Sequence, residues 1–97
     1  MVGLQVWVNG KRHYTVGIGD FGVMDAHVDW GRVETKTGKI HEHLWVGARG
    51  FESGTENAPH WKNIQLQVGD EVTIVVVETN VFDEPLTCMP DFPVSRP

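Results

Sequence analysis

Alternation of apolar and polar positions lays out most of this chain as strands. Leu4, Val6 and Val8 alternate with Gln5 and Trp7, the two-residue period of a strand with one buried face. The run meets Asn9-Gly10, a pair that readily takes φ > 0 twice and so favours a type I′ turn. A hairpin of residues 4–8 and 11–16 is predicted, with Arg12, Tyr14 and Val16 on one side of the return strand and Lys11, His13 and Thr15 on the other. Beyond a glycine-rich break at 17–22, Met24, Ala26, Val28 and Trp30 alternate with Val23, Asp25, His27 and Asp29. This predicts a strand over 23–35 with Gly31 as the place for a bulge. A short helix over 23–30 is the competing reading, because Met24 and Val28 also stand four apart.

Lys36-Thr37-Gly38 then turns the chain into Lys39-Ile40-His41-Glu42-His43-Leu44-Trp45-Val46. Threonine resists φ > 0, so a three-residue loop with Gly38 in the left-handed position is preferred over a two-residue Thr37-Gly38 turn. That loop length sets Val28 opposite Val46 and Trp30 opposite Leu44 on one apolar face. His27, Asp29, His41, His43 and Trp45 then share the other face. A two-residue turn would set Trp30 against Trp45 and mix the faces.

Residues 47–60 carry turn formers and no sustained period, and read as a long surface loop. Trp61, Ile64, Leu66 and Val68 lead into a tight turn at Val68-Gly69-Asp70-Glu71. The segment from Val72 to Thr79 is rich in β-branched residues and apolar on both faces, which predicts a central strand. The four prolines after Asn80 predict an extended tail, ordered only where Phe82, Leu86 or Phe92 docks. The expected fold is a small, mostly β, antiparallel β-sandwich or barrel-like domain of about five to seven strands. Residues 1–80 form its single domain and 81–97 its Pro-rich tail.

Taken in order, LQVWVNGKRH, GVMDAHVDW, HLWVGARG and LQVGDEVTIVVVE resemble a group of small uncharacterised bacterial β proteins of about this length. The resemblance runs nearly to Glu78 and implies the same β fold. That group has no assigned activity, so no catalytic or binding residue is carried over.

With 97 residues there is room for one hydrophobic core. Eight Lys and Arg against thirteen Asp and Glu leave a formal charge of −5, which argues against nucleic-acid phosphates or an anionic bilayer and for a basic or neutral partner. Cys88 is the only cysteine, so neither an intramolecular disulfide nor a multi-thiolate metal site can form. No apolar run approaches the ~20 residues that span a bilayer, and no secretory signal pattern opens the chain. A cytoplasmic address is expected.

Gly17-x-Gly19-x-x-Gly22 matches a dinucleotide-binding fingerprint in letters alone. The segment after Gly22 alternates like a strand instead of opening a helix, and Asp20, Asp25 and Asp29 would repel a pyrophosphate. The expectation is a glycine-rich inter-strand loop. Ser53 lacks the spacing of a nucleophile elbow, and nothing near Cys88 would activate its thiol.

Two readings of function remain. The first is a small acidic cytosolic protein-binding module, antitoxin- or immunity-like, rather than an enzyme. It would engage a basic protein through Trp45, Glu52 and Glu56 around the 47–60 loop, and it needs no cofactor. The second is a metal- or small-ligand-binding β domain in which His27, Asp29, His41 and His43 hold a divalent ion such as Zn²⁺. A solvated sheet face carries such residues without a ligand as well. Pairing of two copies through an exposed strand edge would give a homodimer.

Overall fold

The computed structural model describes residues 1–86. Their hydrophobic alternation produces six antiparallel strands: β1 (Val2–Val8), β2 (Lys11–Val16), β3 (Gly22–Glu34), β4 (Ile40–Glu52), β5 (His60–Gln65) and β6 (Val72–Glu78). These form two three-stranded sheets, β2-β1-β6 (sheet A) and β3-β4-β5 (sheet B). The sandwich expectation holds. Among the described residues there is no helix, and so none long and apolar enough to cross a membrane. Cys88, Phe92 and the tail from Thr87 onward lie outside the described residues.

Turn chemistry fixes both hairpins. Asn9 and Gly10 adopt φ of 53° and 82°, the double left-handed pair of a type I′ turn. A register shift between Val6 and Trp7 leaves His13 unpaired, because Trp7 faces Arg12 and Val6 faces Tyr14. In the second hairpin Gly38 sits at φ 87°, and Thr35 N–H donates to Lys39 O at 2.7 Å. Val28 therefore faces Val46 and Trp30 faces Leu44, the predicted register. Pairing runs unbroken from Glu34–Ile40 to Gly22–Glu52. Gly31 carries no bulge, and residues 23–30 form no helix.

Two expectations fail. Residues 47–60 are not one loop: β4 continues to Glu52, and only 53–59 lie between strands. The glycines that suggested a loop are there because neighbours occupy the side-chain space. A Cβ on Gly50 would come within 2.5 Å of Ile18, and one on Gly47 within 2.4 Å of Asn63. Nor is β6 central. It is an edge strand paired only with β1, and its apolarity on both faces comes with exposure on both faces.

The core lies where the inner faces of the sheets meet. Val6 and Val16 of sheet A and Val46 of sheet B are fully buried, with Trp61 at 4% exposure beside them. Val8, Tyr14, Ala48 and Leu66 complete the cluster, and Met24, Ala26, Leu44 and Ile64 pack against it. The Tyr14 hydroxyl donates to Lys62 O at 2.9 Å and so ties β2 to β5. At one end, Asn9 and Asp70 bond each other's turns. Asn9 donates to the Asp70 carboxylate and accepts from Glu71 N–H. The Asn9 amide, and then the Gln67 N–H, lower the Asp70 pKa.

The segment after β6 straps one side of the sandwich. Phe82 occupies the space that a side chain at Gly17 would need. Asp83 accepts from Thr15 N–H at 2.7 Å and its own N–H donates to Thr15 O at 2.9 Å, which extends the ladder beyond β2. The indole of Trp61 donates to Asp83 O at 2.9 Å. Leu86 N–H donates to His60 O at 2.8 Å, so the strap also covers part of the β5 edge.

Asp83→Ala leaves the buried Thr15 N–H without an acceptor, and should cost about 1–3 kcal/mol in urea unfolding. Asp83→Asn, which keeps an oxygen, should recover part of it. Burial pushes the Tyr14 phenol from 10.0 up to about 12. Below pH 10 folded and unfolded chains both hold that proton. Between about 10 and 12 only the folded chain does, so stability should fall with rising pH across that window. Tyr14→Phe should abolish that slope. Because Tyr14 is the single tyrosine, tyrosinate absorbance reads its titration directly.

Candidate functional site

Strand parity decides which side chains can meet on sheet B. Val46, Ala48 and Trp61 turn inward to the core, so Asp25, His27, Asp29, His43, Trp45, Arg49 and His60 turn outward, away from sheet A. On this outer face charges and rings pair in short range. His27 Nδ1 lies 2.8 Å from Asp25 Oδ1. Arg49 Nε reaches the other Asp25 oxygen at 3.6 Å. His43 Nε2 is 3.3 Å from Asp29 Oδ1, and its ring stacks on Trp45 with centroids 4.3 Å apart.

Between these groups lies an open depression of about 500 Å³ whose walls include His27, Asp29, Trp45, Arg49, His60 and Asn63. Gly47, opposite His27 on β4, is buried, and Asn63 Oδ1 takes the place that a side chain there would need. Leu86, from the strap, also reaches the lining of the depression. The residues identified from the sequence supply three of these walls. Arg49 and His60 were hidden inside the segment read as a loop. Asn63 is outward because it adjoins the inward Ile64, and a register shift against β4 is what lets Trp61 and Ile64 both face the core.

The four residues expected to hold a metal do share one face, as the register required, but not one level. His27 stands opposite Gly47, His43 opposite Gly31 and His41 opposite Val33. At ~3.3 Å per residue, His27 and His41 are about 20 Å apart along the sheet. A zinc ion needs its ligands at about 2 Å. His27 pairs with Asp25 and His43 with Asp29. Among the described residues no group of three or more His, Cys, Asp or Glu is placed to hold a metal ion.

The partner-binding residues are also dispersed. Trp45 projects outward and is half-buried, whereas Glu52 lies seven positions along β4 with the opposite parity. That is about 23 Å by strand rise. Glu52 accepts from the Asn57 side chain at 3.1 Å and lines a second depression with Gly17, Ile18 and Phe82. Glu56 is exposed in the turn beyond it. Gly17-x-Gly19-x-x-Gly22 forms the crossover from sheet A to sheet B and opens β3, with no helix after it.

The chain matches no known protein family, curated protein or solved structure. Its function must therefore be argued from these side chains. The depression offers the Asp29 carboxylate, the Arg49 guanidinium with Asp25 beside it, the rings of His27, Trp45 and His60, and the Asn63 amide. It holds no activated nucleophile. Added Zn²⁺ should leave the melting temperature unchanged, and His41→Ala with His43→Ala should not alter that result. A zinc-dependent rise lost in the double variant would restore the metal reading.

Proposed function

We propose that the protein is a non-enzymatic binding module that takes a basic side chain of a protein partner into the depression on the outer face of sheet B. The observation that carries this reading is the cross-strand pair Asp29–Trp45 in the wall of the depression. A carboxylate next to an aromatic face suits a lysine ammonium or arginine guanidinium, which gains ion pairing and cation–π attraction together. The Asn63 amide oxygen over Gly47 adds an acceptor. Asp25 and Asp29 outnumber Arg49 on this face, and the whole chain carries −5, so long-range attraction and local recognition have the same sign.

Titration with a tri-arginine peptide, followed by the indole and backbone amide resonances, tests the proposal. The shifts should centre on Trp45, Gly47 and Asn63, and added salt should weaken them. Asp29→Asn and Trp45→Ala should each reduce affinity about tenfold, equivalent to ~1.4 kcal/mol. Glu52→Gln with Glu56→Gln should reduce it far less. Shifts confined to the 53–59 turn, or a larger loss from the glutamate pair, would move the contact surface there and overturn the assignment.

A further inference from the structure

Each sheet of this sandwich has two edge strands, and the four edges are treated differently. The strap hydrogen-bonds to Thr15 of β2 and His60 of β5. Those strands also carry Lys11, Arg12 and Lys62. The β3 edge bears Asp25, Asp29, Arg32 and Glu34 along its length. Charged side chains and covering segments are the usual means by which an edge refuses another strand. Among the described residues strand β6 has no covering segment, and no charge along its middle. From Val72 to Val77 it contains no charge, proline or glycine, and among the described residues β1 is its only strand neighbour.

The faces of β6 are unprotected too. Ile74 and Val76 pair with Val6 and Leu4, so they lie on the core side of sheet A, yet they remain 38% and 69% exposed. Val75, on the outer side, is 37% exposed. The core face of sheet A therefore continues past the contact with sheet B and ends bare. This strand needs an additional neighbour more than any other element of the molecule.

The distribution of charge selects that neighbour. Acidic residues stand at both ends of the strand, Glu71 before it and Glu78 at its close. A parallel, in-register copy would stack Glu71 on Glu71 and Glu78 on Glu78. An antiparallel copy centred on Val75 sets Ile74 against Val76, Thr73 against Val77 and Val72 against Glu78, with Glu71 against Thr79. No like charges then face one another across the seam. The core-side residues of both copies form one apolar stripe.

We propose that β6 is a self-association edge: two copies of this chain pair antiparallel through β6, with Val75 facing Val75 on a twofold axis, into a continuous six-stranded sheet. Such an interface is isologous and closes at two copies. It is independent of the proposed basic-side-chain site, which lies on the face of sheet B turned away from sheet A.

Cysteine cross-linking reads the register directly. In a Cys88→Ser background, Val75→Cys should form an intermolecular disulfide under mild oxidation, because position 75 meets its own copy at ordinary cross-strand spacing. Thr73→Cys should not, since the two copies of position 73 stand four residues apart, about 13 Å. Cross-linking of both would indicate a parallel seam, and of neither would exclude the β6 interface; each overturns the proposal. Light scattering of the unmodified chain should give the mass of a dimer. Val75→Lys, which sets two ammonium groups face to face at an exposed position, should give a monomer with an unchanged β circular-dichroism spectrum. A dimer that survives Val75→Lys, or a monomeric unmodified chain at millimolar concentration, would equally rule the proposal out.

Discussion

Two three-stranded sheets face each other across a core made mainly of valine, and the rest of the molecule depends on that contact. Neither sheet could stand alone, since a strand pair or triplet needs an opposing apolar face to hold it in water. Val6 and Val16 meet Val46 with no exposure at all, and Trp61 is buried beside them. Because the contact is narrow, side closure matters. The strap from Thr79 to Leu86 closes the side where β2 and β5 lie, through Asp83 on Thr15 and Leu86 on His60. The opposite edges, β6 and β3, receive no such cover among the described residues. Trp30 and Val28 on the inner side of β3 are 59% and 55% exposed, like Ile74 and Val76 on β6.

The parts of this arrangement that local chemistry determines were legible in the sequence. Asn9-Gly10 and Gly38 announce backbone conformations that few other residues adopt, and each fixes the register of a whole hairpin. Gly38 alone dictates the pairing of Val28 with Val46, and with it the sharing of a face by His27, His43 and Trp45. Whatever depends on contact across space was not legible. The strand from Gly47 to Glu52 looked like a loop because two of its residues lack side chains. The reason lies in Asn63 and Ile18, distant in the chain, which fill the volume. Strand β6 looked central because apolarity on two faces ordinarily means burial on two faces. A strand at an open edge that awaits a neighbour carries the same pattern.

The outer face of sheet B shows how far a correct register goes. It gives the face of each residue with certainty and says nothing of proximity until levels along the strand are counted. The histidines His27, His41 and His43 share a face over about 20 Å, with His27 held by Asp25 and His43 by Asp29 and Trp45. The feature that makes a site of this face is a depression walled by polar side chains from three strands, of which only β3 shows its whole length in the sequence pattern.

Sheet A is assembled from the two ends of the described chain, and that order has a temporal meaning. Sheet B draws on consecutive strands between Gly22 and Gln65, whereas β1 sits in the middle of sheet A and acquires its second neighbour only at Val72. During synthesis, which proceeds at roughly 5–20 residues per second, β1 emerges first and spends some seconds with one side bare. In that interval the strand that completes it could come from its own ribosome or from a chain already finished. Nascent chains made side by side on one message would then be the most exposed to exchange of β6.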